Sequence, residues 1–322
     1  MKTCSLDNMD KRIPLLVTVY VPTYMKFDVI YNNLRSILEQ NYSDIELIVS
    51  DDGSTNFPKE DIETYIIKNR RENIKSFQVI ANKNNVGTVR HINKILSLAH
   101  GELYIPLSGD DEFYNNTVIT RIVAEYNKTH FNVLSTSRIS VDNEGHQLYY
   151  IPHILDRVII NLWIRTARQQ LNRLLQRRYH NFASGSTMTI QASFFKQMGG
   201  HDERFVLWED GPFIAKITNM GYKINTRYDI ISVRYKLGGI STGSSSGEVG
   251  QVYSKDLAFF RSNSDCYKQS PLTRRIIRWR KTYPKSMSLS FRIKFLDLFI
   301  LQKLSSIYDR LSYRYDKWRI CD

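Results

Sequence analysis

The chain has 322 residues, 42% of them hydrophobic, and a formal net charge of +13, so it is long and apolar enough for a sizeable folded core. Its three scattered cysteines form neither a disulfide framework nor a metal-ligand spacing, which favours a reducing compartment. No uninterrupted run of about 18 apolar residues is present, which argues against a membrane-spanning helix. The positive charge favours anionic partners, such as nucleotide phosphates, nucleic acid or an acidic membrane surface.

Strands and helices are predicted to alternate through the first third of the chain. Apolar periodicity predicts strands at 13–21, 45–49, 77–81 and 103–107, with intervening helices at 28–38, 59–68 and 88–99. This spacing predicts a mostly parallel, Rossmann-like sheet. The first run contains Pro14 and Thr18 and no small-residue cleavage site, so we interpret it as a strand and not as a signal peptide. Because no G-x-G-x-x-G motif follows it, a nucleotide here would depend on acids and a metal.

Acidic residues stand at three corners of the predicted fold. Asp51-Asp52-Gly53-Ser54 follows the second strand, Gly109-Asp110-Asp111 follows the fourth, and Glu209-Asp210 precedes a helix. Open α/β sheets bind ligands beyond the carboxyl ends of their strands, and adjacent carboxylates there repel each other unless a cation lies beside them. Mg²⁺ or Mn²⁺ is the natural partner of such oxygens. The residues alone leave both a solvated acidic turn and a cation site open, and Asp210 is equally explained as a helix N-cap.

The alternation of predicted strands and helices is less regular in the second half of the main domain. The pattern there predicts helices at 116–127, 155–178, 192–198 and 212–220, and strands at 133–136, 139–141, 187–190 and 223–233. The helix at 155–178 carries six arginines, and it is either a packing helix with a solvated basic face or one wall of a site that faces a phosphorylated substrate. A glycine- and serine-rich loop at 234–244 is typical of a mobile lid.

The tail differs in composition from the rest of the chain. Between Asp265 and Asp297 there are nine lysines and arginines and no acid, with aromatic residues interleaved. Two interpretations stay open: an interfacial membrane element, or helices that pack on the main domain with a basic outer face. Nucleic-acid binding has no recognition motif to support it. We therefore expect a domain at 1–245, with halves at 13–112 and 113–245, and a basic, mainly helical extension at 246–322.

The three acidic corners, in this order on an α/β chain, resemble family 2 glycosyltransferases of the GT-A fold, of the bacterial surface-polysaccharide type. Lesser features support the resemblance: Pro22-Thr23-Tyr24 after the first strand, Asn84-Asn85-Val86-Gly87 before a helix, and Gly199-Gly200-His201-Asp202-Glu203 before the third corner. It covers about residues 13–245 and says little about the tail. The chain departs from the family pattern at Ser108, where a first acid often stands, and at Leu237, where many members carry a histidine.

The resemblance also implies roles for individual residues. Asp52 would contact the base and Asp110 the ribose, Asp111 would hold a Mn²⁺ or Mg²⁺ ion, Asp210 would be the general base, and Glu209 would orient the acceptor. The residues that would contact the nucleotide sugar are Pro22, Thr23, Tyr24, Asp51, Asp52, Asn85, Gly87 and Asp110.

With these roles, the resemblance implies that the chain is an inverting, metal-dependent glycosyltransferase. We expect it to use a nucleotide sugar, most commonly a UDP-sugar, and a saccharide or lipid-linked saccharide acceptor in cell-surface polysaccharide synthesis. Its expected place is the cytoplasm, at the inner face of the membrane. Two alternatives stay open: a non-catalytic sugar-nucleotide-binding or scaffold protein with the same fold, and a nucleotidyltransferase.

Overall fold

The computed structural model describes residues 15–142, 144–176, 182–237, 247–282 and 289–321. Its first elements are β1 (Val17–Thr23), α1 (Ile30–Leu38), β2 (Ile45–Asp51), α2 (Lys59–Asn69), β3 (Ile74–Ala81), α3 (Thr88–Ser97) and β4 (Leu103–Pro106). β1 pairs in parallel with β2 and β4, and β2 pairs in parallel with β3. Because β1, β2 and β4 are buried along nearly their whole length, their sequences are continuous apolar runs. The predicted Rossmann-like half is confirmed.

The second half extends this sheet with antiparallel pairs. Its elements are β5 (Glu112–Phe113), α4 (Val118–Thr129), β6 (Val133–Val141), β7 (Gln147–Ile151), α5 (Ile154–Trp163), α6 (Ala167–Gln176), β8 (Met188–Gln191), α7 (Ala192–Gln197), α8 (Asp210–Asn219) and β9 (Asn225–Lys236). The sheet order is β3-β2-β1-β4-β8-β6-β9-β5, with β7 paired to β6. β8 runs antiparallel to β4 and β6, whereas β9 runs parallel to β6. One mixed sheet therefore carries both halves.

The prediction is wrong at three places in this region. The strands expected at 133–136 and 139–141 are one strand, β6, whose polar middle is satisfied because Ser137 Oγ donates to the carbonyls of Tyr228 and Ile230 at 2.9 and 3.2 Å. β7 follows it and was not predicted. The helix expected at 155–178 is two helices, because Thr166 and Gln169 form a capping box that starts α6.

The strand ends also differ from the prediction. β1 continues through Thr23, so Pro22 and Thr23 lie in the strand and not in a loop. β9 continues to Lys236, which makes the first residues of the predicted lid part of the sheet. Ile13 and Pro14 at the start of the first predicted strand, and most of the lid, lie outside the described residues.

The tail is helical, as predicted. It contains α9 (Glu248–Ser262), α10 (Pro271–Thr282), α11 (Leu289–Lys294) and α12 (Leu296–Cys321). α9 packs on the main domain, since Phe260 lies in the core and the Asp256 carboxylate accepts hydrogen bonds from the backbone N–H groups of Val206, Leu207 and Trp208 at 2.7–3.1 Å. Among the described residues, no helix has the length and apolarity needed to cross a membrane. The division at 245/246 stays a prediction.

Candidate active site

The carboxyl ends of β1, β2 and β4 meet at one edge of the sheet. The Thr23 carbonyl accepts a hydrogen bond from Asp52 N at 3.0 Å, and the Pro22 carbonyl accepts one from Gly109 N at 3.2 Å. Gly109 also approaches the Thr23 side chain closely, since a Cβ added to it would lie 3.2 Å from Thr23 Oγ1. The first two acidic corners and the end of β1 are therefore neighbours in space, as their positions at strand ends predict.

Both carboxylates of the first corner hold backbone loops in place. Asp51 accepts hydrogen bonds from Ser54 N at 2.6 Å and Ser54 Oγ at 2.7 Å. Asp52 accepts bonds from Asn82 Nδ2 at 2.8 Å and from the N–H groups of Val86 and Gly87 at 3.0 Å. Since both side chains are buried, they fix these loops as one wall at this edge of the sheet, and the contact of Asp52 with a base stays a prediction.

The remaining residues predicted to contact the nucleotide sugar lie around this wall. Asn85 Oδ1 accepts a second bond from Gly87 N at 3.0 Å, which fixes the turn before α3. Tyr24 is 45% exposed at the end of β1, so its ring is free to contact a ligand. The loop after β1 is joined to the first corner, because Met25 N donates to Ser54 Oγ at 2.9 Å.

Gly53 is a point where the loop after β2 touches the loop after β3. Its φ is +82°, and an added Cβ would lie 2.4 Å from the carbonyl carbon of Asn84 and 2.6 Å from Asn85 N, both backbone atoms. We expect Gly53→Ala to lower the free energy of unfolding by about 2 kcal/mol or more and to abolish nucleotide binding, because the two loops are forced apart. Thermal unfolding and titration with UDP would measure this.

Gly199→Ala is the matched control for Gly53→Ala. Gly199 has a φ of +72°, and an added Cβ would meet no heavy atom within 4 Å. It therefore carries the conformational cost of a positive φ without the collision. Equal losses in the two variants would contradict the role of close packing between the loops.

The second corner contains two carboxylates in different surroundings. Asp110 is partly exposed and lies 3.3 Å from Lys26 Nζ. Asp111 is 1% exposed: its Oδ1 accepts a hydrogen bond from Lys236 N at 3.0 Å, and its Oδ2 has no hydrogen-bond partner among the described residues. Burial, and then the neighbouring Asp110, raise the pKa of Asp111 well above its usual value.

These surroundings fit a hard divalent cation. A buried carboxylate oxygen without a partner, adjacent to a second and more accessible carboxylate, is relieved by positive charge. A second acidic group lies at the hairpin tip between β6 and β7, where Asp142, Glu144 and His146 have ligand atoms within 4.8 Å of one another. There Asp142 Oδ1 accepts bonds from Glu144 N and His146 N at 2.9 Å, so this carboxylate already closes the turn.

The third corner lies at the start of α8. Asp210 Oδ2 accepts a hydrogen bond from Gly185 N at 2.7 Å and Oδ1 accepts one from Gly211 N at 2.6 Å, so the carboxylate is held in one orientation. Burial raises the pKa of Asp210 despite these bonds, and burial together with Asp210 raises the pKa of Glu209 to about 8. Glu209 is the N-cap residue by position, yet its side chain makes no capping bond. The pair therefore tends to retain a proton near neutral pH.

Arg138 in β6 connects the second and third corners. Its Nη1 donates to Ser186 Oγ at 2.6 Å, next to the Gly185 that contacts Asp210, and its guanidinium lies 3.7 Å from the ring centre of Tyr235, next to Lys236. Its positive charge opposes the burial that raises the pKa of both Asp111 and Asp210. The sequence analysis missed Arg138, because a single arginine in a strand carries no motif.

Replacement of Glu209 should change the pH dependence of stability. A carboxyl whose folded pKa is raised from 4.5 to about 8 stabilises the fold at low pH, and that contribution is lost as pH rises through this interval. We expect Glu209→Gln to leave the melting temperature little changed at pH 5 and to raise it above wild type at pH 8.5. Thermal unfolding across this range, beside Glu203→Gln at an exposed carboxyl, measures the difference. A constant offset between Glu209→Gln and wild type would contradict the assignment.

Comparison with known proteins agrees with this architecture. The sequence model of the family "Glycosyl transferase family 2" matches residues 18–199, more than half of the chain. The chain is 29% identical over 198 residues to UDP-Glc:alpha-D-GlcNAc-diphosphoundecaprenol beta-1,3-glucosyltransferase WfaP of Escherichia coli, covering 60% of this chain and 68% of WfaP. It is 25% identical over 135 residues to glycosyltransferase GlyG of Streptococcus pneumoniae, covering 42% of this chain and 43% of GlyG. The chain thus spans about half the length, or less, of several curated relatives.

Solved structures share the fold at low sequence identity. TarS 1–349 of S. aureus, in complex with UDP-GlcNAc, superposes with a TM-score of 0.59 at 18% identity, covering 87% of this chain and 76% of that one. The mannosyltransferase PcManGT of Pyrobaculum calidifontis, in complex with GDP-Man and Mn²⁺, gives 0.57 at 15% identity, covering 94% and 85%. The chain therefore has the GT-A fold and belongs to glycosyl transferase family 2, a family of glycosyltransferase enzymes.

Proposed function

We propose that the protein is a metal-dependent, inverting glycosyltransferase that moves a sugar from a nucleotide sugar to a saccharide or lipid-linked saccharide. The observation that carries the proposal is the arrangement of two acidic corners on either side of Arg138 in β6: Asp110-Asp111 after β4, on the nucleotide side, and Glu209-Asp210 at the start of α8. Each corner has the chemistry that one half of a glycosyl transfer needs, since the donor carries phosphates and the acceptor must lose a proton.

The names of similar proteins support the choice of substrates. WfaP is named for UDP-Glc and for a diphosphoundecaprenol-linked acceptor, and TarS 1–349 was solved with UDP-GlcNAc. PcManGT was solved with GDP-Man and Mn²⁺, so the fold also accepts a guanosine donor. We propose a UDP-sugar as the donor of this chain and cell-surface polysaccharide synthesis as its setting.

In the proposed mechanism, Asp210 is the general base. The acceptor hydroxyl gives its proton to the Asp210 carboxylate while its oxygen attacks the anomeric carbon of the donor sugar. The bond from that carbon to the diphosphate oxygen breaks, and its electron pair leaves with the nucleoside diphosphate. Because a single displacement occurs on the face opposite the leaving group, the anomeric configuration inverts. Glu209, beside Asp210, would orient the acceptor.

The second corner would hold a divalent cation beside the donor. When bound, Mn²⁺ or Mg²⁺ supplies positive charge at the diphosphate, where negative charge grows as this group leaves. The resemblance implies that Asp111 holds the ion, whereas Asp110 is the carboxylate with the greater exposure. We therefore propose that the two residues hold the ion together. Asp110 contributes the accessible oxygens, and the free Oδ2 of Asp111 adds negative charge behind them.

Arg138 would support the base from the neighbouring strand. Replacement by Met removes the charge that opposes the raised pKa of Asp210, so the acid limb of the rate–pH profile should move to higher pH. We expect kcat/KM at pH 7 to fall roughly tenfold, with Arg138→Lys keeping most of the profile because it keeps the charge. A rate–pH series on the three proteins measures this. A uniform loss at every pH would instead indicate a purely structural role.

A donor panel tests the proposed function. Purified protein is mixed with Mn²⁺ or Mg²⁺ and UDP-, GDP- or dTDP-sugars, and the released nucleoside diphosphate is measured. Metal-dependent release from one donor establishes the class and names the sugar. Release of pyrophosphate from a nucleoside triphosphate would establish a nucleotidyltransferase instead. If the protein bound a nucleotide sugar but did not turn it over when lipid-linked and saccharide acceptors were supplied, it would be a non-catalytic sugar-nucleotide-binding protein.

We further propose that transfer takes place at the inner face of the cell membrane, with the basic extension as the peripheral contact. Support comes from the lipid-type acceptor in the name of WfaP and from the composition of α10, which has basic residues throughout and no acid. The expected domain at 1–245 would then contain the catalytic residues, and the extension at 246–322 would place them near the acceptor.

A further inference from the structure

Beyond its first turn, in which Leu298 is buried, helix α12 faces the protein with its polar side. Ser312 and Asp316 have no exposed surface, whereas Leu304 and Leu311 each expose more than half of theirs. A helix on the surface of a water-soluble domain normally has the opposite arrangement, with its apolar side towards the core. The inversion indicates that the apolar side of α12 has a partner outside the residues that the structure describes.

The buried side of α12 is fixed by specific hydrogen bonds. Asp316 accepts bonds from Tyr150 N and Ile154 N at 2.9 Å, and its Oδ2 lies 2.5 Å from His153 Nδ1. Because Asp316 joins the end of β7 to the start of α5, rotation of α12 would leave buried groups without partners. The exposure of the apolar side is therefore set by the fold.

Seven of the exposed apolar residues of α11 and α12 form a stripe, which we call the outer stripe. From Ile293 to Leu311 they recur at intervals of three or four residues, and Trp318 lies seven residues further on, on the same side of α12. Helix α5 packs on α12 and also exposes apolar side chains, including Trp163 at 72% exposure. The outer stripe consists of Ile293, Leu296, Ile300, Leu304, Ile307, Leu311 and Trp318.

A row of basic residues runs along one edge of the outer stripe. Lys303, Arg310 and Lys317 are exposed and recur every seven residues, which places them side by side next to the apolar face. The three acids of α12 lie elsewhere: Asp297 pairs with Arg275 at 2.5 Å, Asp316 is buried, and Asp309 lies two helical turns before Asp316 on the same side of the helix. A second copy of the chain packed on the stripe would bring no acidic partner to this row, whereas anionic headgroups would.

We propose that the outer stripe is the face that docks on an anionic lipid bilayer, with α12 lying in the plane of the headgroups. An apolar face bordered by Lys and Arg, with a Trp near one end, is the arrangement of interfacial helices. This inference rests on the proposed function and deepens it, because it moves the contact from basic α10 to α12. It also gives an orientation: α12 is fixed to β7, and β7 pairs with β6 so that Ile151 lies opposite Arg138. The acceptor side of the site is thus coupled to the membrane-facing helix.

Vesicle flotation of the full chain tests the docking face. Two vesicle types are used: phosphatidylcholine alone, and phosphatidylcholine mixed with phosphatidylglycerol. We expect wild type to float with the mixed vesicles only. Leu304→Ser, Ile307→Ser and Leu311→Ser together should lower partitioning at least tenfold, and Lys303→Gln, Arg310→Gln and Lys317→Gln together on the order of a hundredfold at low salt.

The matched control replaces exposed apolar residues on other faces, Ile67→Ser with Met220→Ser, and should float like wild type. Thermal unfolding confirms that each variant is folded. Floating by the Leu304, Ile307 and Leu311 triple variant, or failure of wild type to float, would overturn the proposal. So would light scattering that shows wild type as an oligomer and this triple variant as a monomer, because a second copy would then cover the stripe.

Release of nucleoside diphosphate, measured without vesicles, separates this inference from the proposed function. We expect the triple variants to release it at the wild-type rate, since their substitutions lie outside the acidic corners. If the wild-type protein released nucleoside diphosphate but did not float, the docking proposal alone would be defeated. Flotation without any release would leave docking standing and defeat glycosyl transfer.

Discussion

Asp210→Asn is expected to lower kcat by about 10²–10⁴-fold and to leave the affinity for the nucleotide sugar within threefold of wild type. The asparagine keeps the size of the side chain, and its oxygen can still accept the bond that Gly185 N donates to Asp210. What it loses is the ability to take a proton from the acceptor. Single-turnover rates with saturating donor and acceptor, and calorimetric titration with UDP, measure the two quantities.

Asp202→Asn is the matched control for Asp210→Asn. Asp202 lies shortly before the third corner, and its carboxylate pairs with Arg204 Nη2 at 2.6 Å on the surface. This variant should keep wild-type turnover. A wild-type rate in Asp210→Asn would exclude Asp210 as the base. A loss of donor binding equal to the loss of rate would show that Asp210 acts on the donor and not on the acceptor.

Asp110→Asn is expected to remove the dependence of nucleotide binding on metal and to lower turnover by about 100-fold or more. Asp110 is the more exposed member of the second corner, so loss of its carboxylate weakens binding of the ion directly. The buried hydrogen bond from Lys236 N to Asp111 stays intact. Titration with UDP in the presence of Mn²⁺, and again with a chelator, measures the effect. Wild type should bind more tightly with Mn²⁺, and Asp110→Asn should bind equally in both.

Two further variants locate the ion. Asp111→Asn should also weaken the metal dependence, because it removes the negative charge behind Asp110. Glu144→Gln, at the exposed hairpin group, should leave it unchanged. If Glu144→Gln abolished the metal dependence and Asp110→Asn did not, the ion would belong to the hairpin and the proposed donor site would be wrong.

The first half of the fold could be predicted because its signals are local. β1, β2 and β4 are buried runs of Val, Ile and Leu, so their sequences alone identify strands, and the acids that follow them must meet at one edge. The mostly parallel sheet was predicted on this basis, and the GT-A fold and the family were predicted from the resemblance that the three acidic corners carry. β6 was divided in two because Ser137 and Arg138 interrupt its apolar pattern, and the contacts that satisfy Ser137 come from residues more than 90 positions away.

The residues that support the site could not be predicted, because their partners also lie far away in the sequence. Asp256 holds the loop before the third corner from 48–50 positions away, and Asp316 holds Tyr150 from 166 positions away. From the sequence alone, an isolated acid in a helix is expected to be solvated, because its hydrogen-bond donors are not known. The tail was predicted as basic and helical from its composition. The inverted packing of α12 depends on which side of the helix meets β7, which no sequence pattern specified.

The anomeric configuration of the product tests the central claim most directly. Wild-type protein is incubated with Mn²⁺, its donor and its acceptor, and the anomeric configuration of the newly formed glycosidic bond is determined by proton NMR. A single displacement with Asp210 as base predicts a β-linked product from an α-linked nucleotide sugar. An α-linked product would require a second displacement or a different course of reaction, and it would contradict the assignment of Asp210.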